Sequence, residues 1–580
     1  MSALAVAVFS GLCLWLGYFL YSRVLAGRVF VLTNAQPTPS HTKEDGVDYV
    51  PTRPSILFGH HFATIAGLAP MLGPALAVIW GWLPAILWVV FGSIFMGAVH
   101  DFGALVLSVR HGGGSIGELT EELIGPRARV LFLLVSFFLL ALAMGVFAYI
   151  VGGFFARTHP EAVIPVFALM PIAVGVGLLV YRVRMSVWGA TLIGLGLMMF
   201  VIWLGVDHPA GDIAGWFLRM RGVDTAQYTA AQLQSMSATS WVVVLLVYAC
   251  GASMLPVWLL LQPRDYLNSY KLYLGMAATY AGLLIARPQI TAPAFNTADT
   301  GAPGLFPFLF ITIACGAISG FHNLVASGTT SKQLDKETQA RPIGYGAMLA
   351  EGALAVVAVL ACTAGIGDRA AWHAHYSSWS AAGGLAQKLD AFVKGAGSFI
   401  SHLGVQQEYA EAFVAVVVVA FAMTTLDSGT RLLRYNITEL SRCTNKGPLL
   451  RRYLPSVWAV VAIGFFALLR VHGKPAGIAL WQLFGSTNQL LAGLGLLAVS
   501  VYLLRRGRKT VYTALPMVFM LVVTFVAIIL KSTQFYREKS WALLIVGAAI
   551  FLMAIWLAVE AAMVCQRVRA AGGLRPEDAV

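Results

Sequence analysis

Few ionisable side chains lie inside the long apolar runs of this 580-residue chain, and five of them share one depth. His60 and His61 open the second apolar run, His100-Asp101 lie near the end of the third, and His322 lies near the end of the ninth. At 1.5 Å of rise per residue, each sits roughly 8–10 Å from the same end of its helix. They therefore occupy one layer and can meet in one polar cluster. Glu351 sits slightly deeper in the tenth run, and Asp427 ends the eleventh. Desolvation favours the neutral form of a buried carboxylate or imidazole, which suits proton coupling. The alternative is that His100-Asp101 and the His pair tie helices together. Asp427, beside Arg431 and Arg434, reads as a structural ion pair. No ligand spacing among the histidines supports a metal site.

A second kind of signal is interruption. Gly67, Pro70, Gly73 and Pro74 break the second run, and Gly251-Ala-Ser253-Met-Leu-Pro256 breaks the seventh. Irregular backbone at membrane depth is tolerated only where protein buries it or it lines a cavity. Proline suits the first turn of a helix, so Pro70 or Pro74 and Pro256 could each start a half-helix. The free N–H groups and positive dipole end of such a half-helix would attract a carboxylate. Two proline-kinked packing helices are the alternative. The ninth run adds Gly316, Ser319, Gly320, Asn323, Ser327, Thr329 and Thr330, small and hydroxylic residues that pack closely or coordinate a cation. The substrate-binding candidates are Gly67, Pro70, Gly73, Ser253, Pro256, Ser319 and Asn323. Gly485-Ser-Thr-Asn488-Gln489 is a further polar patch. Gly113-Gly114-Ser115-Ile-Gly117 fits GxSxG but has no strand before it and no base–acid pair, so it reads as a turn. HExxH and P-loop patterns are absent, and with them metalloprotease chemistry and ATP drive.

These residues need a membrane-embedded helical frame. The chain is 58% hydrophobic and 11% charged, with mean hydropathy +0.77, against about 25% charged residues in soluble domains. At about 20 apolar residues per span, fifteen spans are expected. They cover roughly 2–22, 55–79, 82–108, 128–155, 162–181, 185–206, 240–261, 271–287, 305–328, 343–364, 408–428, 453–470, 475–504, 511–530 and 541–563. With the N-terminus outside, the cytoplasmic segments hold 27 of the 39 Lys and Arg, as the positive-inside rule expects. The net charge of +13 thus reflects topology and not a nucleic-acid partner. Six cysteines form no CxxC and imply neither a disulfide framework nor a zinc site. Of the outside segments, 207–239 is polar and could cap its face. Segment 366–407 carries Trp372, His373, His375 and Trp379 and reads as an interfacial helix, a gate or a surface loop.

Several blocks resemble the carbon starvation A family. They are Asp48-Tyr-Val-Pro-Thr52, Gly59-His-His-Phe62, Gly97-Ala-Val-His-Asp-Phe102, Ser108-Val-Arg-His111 and Thr312 through His322. Ala326-Ser-Gly-Thr-Thr330, Ile343 through Met348 with Glu351, and Thr424-Thr-Leu-Asp427 complete the set. The resemblance implies a bacterial inner-membrane transporter linked to peptide uptake, with a branch that imports pyruvate with protons. It also implies a LeuT-like 5+5 inverted-repeat core with extra N- and C-terminal helices. On that frame residues 1–54 form an extra helix and linker, 55–470 the core with breaks near 67–74 and 251–256, and 471–580 the C-terminal helices and a short cytoplasmic tail. Ser327, Thr329 and Thr330 are cation-site candidates by that analogy alone.

The expected protein is therefore an all-α polytopic importer, not an enzyme, of a peptide or pyruvate-like carboxylate, working by alternating access. His60, His61, His100, Asp101, His322 and Glu351 are the proton-coupling candidates. Sodium coupling through Ser327, Thr329 and Thr330 is the alternative, as is a channel or sensor. The expected partners are a small-molecule substrate and membrane lipid, with no cofactor, no metal and a cytoplasmic C-terminus.

Overall fold

The computed structural model describes residues 1–257, 259–382, 384–441, 453–471 and 474–570. Cys443 and the expected tail beyond residue 570 lie outside them. The described cysteines are all free thiols. Apart from a two-residue hairpin pairing Arg470–Val471 with Lys474–Pro475, the described segments are helices and their connections.

The first helix, α1, is Ala3–Val29. A bent pair follows, α2 (Pro54–Ile65) and α3 (Ala69–Trp80), at 48° to each other. Next come α4 (Trp82–Arg110), α5 (Pro126–Thr158), α6 (Pro160–Val180), α7 (Val187–Asp207) and α8 (Ala230–Met254). Helix α9 is Leu261–Ala286, and three short pieces succeed it: α10 (Leu305–Thr312), α11 (Ala314–Ala317) and α12 (Gly320–Val325). Helix α13 is Glu337–Ala364, α14 is Leu385–Ser401 and α15 is Gln407–Leu440. The chain finishes with α16 (Leu454–Leu468), α17 (Leu483–Arg505), α18 (Val511–Arg537) and α19 (Trp541–Arg567).

Every expected span overlies a helix, but length and composition qualify only eleven as crossings, or twelve with the bent pair. The three that fall short do so for different reasons. Helix α9 carries too many polar groups in its first turns, α10–α12 is broken, and α16 is short. Helices α13 and α17 are almost wholly buried, whereas a third or fewer of the residues in the apolar windows of α1, α6, α7 and α19 are buried. An outer ring that apolar is stable only against lipid.

The connections sort onto two opposite faces. On one, the 23–54 linker pairs with 331–339: Thr52 bridges Leu334, and the Val50 N–H donates to the Lys332 carbonyl at 3.3 Å. On the other, Ser2 bridges Gln289, and the Trp379 N–H donates to the Thr300 carbonyl at 2.7 Å. This is the partition that loop charge predicts. Segment 366–407 is not a surface loop. Trp372 and Tyr376 are buried, and the Tyr376 hydroxyl donates to the Ala75 carbonyl of α3 at 2.7 Å.

Candidate functional site

The break in the second span follows from its residues. Helix α2 stops at Ile65 because Ala66 leaves the helical region (φ −76°, ψ 50°). Helix α3 restarts at Ala69 with Pro70 in its first turn, where no N–H is needed. The carbonyls freed at the end of α2 are taken by α15: the Thr424 and Thr425 hydroxyls donate to Ala63 and Thr64 carbonyls, each at 3.2 Å. Gly67 sits against Thr425, and Gly73 leaves no room for a Cβ beside the Thr312 carbonyl and Ile313. Pro70, Gly73 and Pro74 are all buried in α3.

Gly73 thus touches a second interruption, and it is not the expected one. The helix is interrupted at Ile313 (φ −94°, ψ 25°), Ile318 (ψ 124°) and Ser319 (φ −129°, ψ 130°). By contrast α8 runs unbroken through Gly251 to Met254, so Ser253 and Pro256 lie at its end and not in mid-span. There the carbonyls of Ala252 and Leu255 accept from Arg431. A glycine-proline run at a helix terminus and one at a mid-span break have the same local sequence, and only the flanking packing separates them. Ser319 and Asn323 join the true break. Asn488 from the Gly485–Gln489 patch accepts from the Ser319 hydroxyl at 3.2 Å and the Phe321 N–H at 3.0 Å. The Asn323 amide donates to the Leu491 carbonyl at 3.2 Å.

The histidine layer forms, with one defection. His61 Nε2 lies 3.0 Å from Asp101 Oδ2 and its Nδ1 lies 2.8 Å from the Thr330 hydroxyl. His322 Nε2 approaches Glu351 Oε2 at 3.2 Å without the alignment of a hydrogen bond. His61 and Asp101 are neighbours of both His322 and Glu351, and His322 is a neighbour of His100. Both His100 nitrogens lack hydrogen-bond partners among the described residues. All five groups are buried. His60, one residue and hence about 100° round the helix from His61, turns away and binds Asp265 Oδ2 at 2.7 Å. The Ser327 and Thr329 hydroxyls donate to carbonyls of their own turn, Asn323 at 2.7 Å and Val325 at 3.1 Å.

Sequence reasoning placed the apolar part of α9, 271–287, but missed its first turns. Residues 262–271 look like a charged cytoplasmic connection, but the helix starts at Leu261, and Gln262, Arg264, Asp265, Asn268, Ser269 and Lys271 are all buried in it. Arg264 pairs with Asp265 at 2.7 Å and with Asp427. Asp427 also accepts from the Tyr248 hydroxyl at 2.6 Å. Asp427 is therefore an ion pair as expected, with a different partner: Arg431 and Arg434 instead bind Asp48 at 2.9 and 3.6 Å. Burial pushes the Asp48 carboxyl up, but Arg431, Arg434 and Lys332 outweigh it and hold it below the usual range. The Lys271 amine and both Asn268 side-chain atoms have no partner among the described residues. Both fall in register between Arg264, which meets Asp427, and Gly275, which stands against Phe413 of α15. The signal available was the clustering of six polar residues directly before an apolar run.

Beyond the two interruptions lies a cavity of about 840 Å³. Its inner wall contains Leu72, Gly73, Thr312 and Cys315, and its mouth contains the exposed Arg157, Ser380 and Gln534. Trp379, Trp481 and Phe484 supply flat apolar walls. The charged lining residues are Arg157, Lys388 and Lys531, and no Asp or Glu occurs among the described lining. Of the substrate candidates only Gly73 lines it. Gly67, Pro70, Ser319 and Asn323 lie buried outside that lining, and Ser253 and Pro256 belong to the opposite face.

A bundle with an apolar outer ring, two interrupted helices and a solvent-connected cavity above them is the build of a multi-pass membrane transporter. The family model for carbon starvation protein CstA matches residues 2–383 and 369–527. The chain is 34% identical to a peptide transporter CstA of Mycobacterium tuberculosis over 600 residues, 91% of this chain and 75% of the relative. It is 34% identical to a peptide transporter CstA of Escherichia coli, covering 90% of this chain and 80% of that one. It is 32% identical to the pyruvate/proton symporter BtsT of Escherichia coli, covering 92% and 82%. Among solved structures, MhsT in complex with L-phenylalanine is similar at 13% identity and a TM-score of 0.48, over 87% of this chain and 98% of that one. The protein belongs to the carbon starvation CstA family.

Proposed function

We propose that the protein imports a small carboxylate-bearing nutrient across the bacterial inner membrane, coupled to protons, by alternating access. The observation that carries the reading is the cavity. It reaches from solvent to the paired interruptions, and its charged lining is entirely cationic. A carboxylate finds counterions there, and a peptide's ammonium group finds no acid, so the pyruvate-like branch fits the lining better than the peptide branch. The opposite face is closed by buried pairs, Arg264 with Asp427, His60 with Asp265 and Arg431 with Asp48. One open and one sealed face is the arrangement that alternating access requires. With the positive-inside assignment, the cavity faces outside and the C-terminus lies in the cytoplasm.

His61, Asp101, His322, Glu351 and His100 are the proton carriers in this reading. A partly unsatisfied cluster in a dry interior changes its charge at a cost that neighbouring helix movement can tip. The sodium reading is weaker, because the Ser327 oxygen already accepts from the Ile116 N–H at 3.1 Å and the Thr330 hydroxyl is held by His61 at 2.8 Å. The test is uptake of labelled pyruvate and a labelled dipeptide by proteoliposomes under a proton gradient, a sodium gradient or neither. Pyruvate uptake under the proton gradient alone is the expected result. Uptake that needs sodium would move coupling away from the histidine layer, and uptake of neither substrate under any gradient would sink the reading.

A further inference from the structure

We propose that Lys388 is the specificity-determining cation of the outer cavity, the group that pairs with the carboxylate of the transported anion. The inference rests on the proposed function and deepens it. Three observations converge on this lysine.

First, the three cavity cations are not equivalent. Arg157 is exposed at the mouth, where water screens it. Lys531 is already engaged, donating to Gln534 at 3.2 Å and lying 5.3 Å from the Phe308 ring centroid. Lys388 is only 7% exposed, lines the cavity, and has no hydrogen bond or ion pair among the described residues. A buried amine that lacks a protein partner and faces a cavity is a group waiting for a ligand.

Second, the helix that carries it is fixed at its other end. Gly395 of α14 admits no Cβ beside the backbone of Ala361, and Phe399 presents its carbonyl to Gly282 with equal closeness. Asp390, the acid nearest in sequence, is committed to Lys394 at 2.9 Å. Lys388 thus projects from the first turn of a helix that is packed closely against α13 and α9 further along.

Third, the neighbours suit a small planar anion. Trp379 and Trp481 flank the same space, and an aromatic wall with one buried cation recognises a compact carboxylate without needing an amine-binding acid. Burial also brings the Lys388 amine down to about 8, so it remains largely charged at neutral pH.

The test is a set of variants, Lys388→Gln, Lys388→Arg and Lys388→Cys, in purified full-length protein. In proteoliposomes Lys388→Gln is expected to raise the KM for pyruvate at least tenfold with Vmax within twofold, and Lys388→Arg to return KM to within threefold of wild type. Lys388→Cys treated with a positively charged thiol reagent is expected to regain affinity, and the same variant treated with a negatively charged one to lose it further. A Lys388→Gln protein that folds and keeps its KM would overturn the assignment. So would a Lys388→Cys protein indifferent to the sign of the reagent. If wild type takes up neither pyruvate nor dipeptide, the transport reading fails separately. Pyruvate titration of the intrinsic tryptophan fluorescence, with Trp379→Phe and Trp481→Phe proteins to isolate those two of the 15 tryptophans, then decides on Lys388. Quenching in wild type and Lys388→Arg but not Lys388→Gln would support it, and any other pattern would overturn it.

Discussion

The two faces of the bundle treat charge in opposite ways. On the Asp48 face, ionisable groups are driven together: Arg264 with Asp265 and Asp427, Arg431 with Asp48, and Arg110 with Glu337 at 2.6 Å. On the cavity face, Arg157, Lys388 and Lys531 line an open space with no acid among the described lining. For Arg264, Asp427, Arg431 and Asp48, charge is tolerated on the first face because each has a counterion in the chain. It is tolerated on the second because water, and in our reading the substrate, supplies what the chain withholds. In our reading, ion pairs seal one face while the charged lining of the other is left for the substrate.

That comparison can be broken in four places, from the largest expected effect to the smallest. Arg264→Ala leaves Asp427 and Asp265 buried without their guanidinium, and removing one partner of a buried pair costs about 3–5 kcal/mol. A large fall in the thermal midpoint of detergent-purified protein is expected, and a midpoint within a degree or two of wild type would mean that the pair is not a seal. In the histidine layer, Asp101→Asn replaces the carboxyl that faces His61 with an amide that cannot take up or release a proton. Proton-driven accumulation should fall more than tenfold while substrate exchange without a gradient continues; loss of both alike would make the layer structural.

The third place is the cavity. The Lys388 amine is brought down to about 8 from its usual 10.5 by desolvation. As pH rises through 8 it loses its charge, so the KM for a carboxylate should climb between pH 7 and 9. The groups around it are Arg157 and Lys531 across the cavity, Tyr149 on α5, and Asp390 and Lys394 on its own helix. Lys388→Arg, charged throughout that range, should flatten the climb, and an equally steep profile in both proteins would assign it to another group. The smallest change in stability belongs to Lys271→Met. An amine with no partner contributes nothing that methionine's apolar contacts do not replace. The thermal midpoint should hold or rise slightly, and a fall as large as that of Arg264→Ala would reveal a counterion.

The spans, their order and their two-faced partition were legible in the residues because each is a local property. Hydropathy over about 20 residues marks a crossing, and loop charge marks a side. The same locality explains the errors. The mid-span break at Ile313–Ser319 contains no proline, whereas Gly251–Pro256 has one and merely ends a helix. The polar start of α9 reads as a loop until its partners on α2 and α15 appear.

The sequence alone determined that this chain is a bundle of membrane helices, that the second is broken near Gly67, and that histidines and carboxylates share one depth. Tertiary structure decided which of them meet. His61 joins Asp101 while His60 turns to Asp265, and Asp427 takes Arg264 and leaves Arg431 to Asp48. The physical reason is rotation. One residue turns a side chain by about 100° around the helix, and which neighbour stands in that direction depends on how the helices pack, which lies outside any local window of sequence.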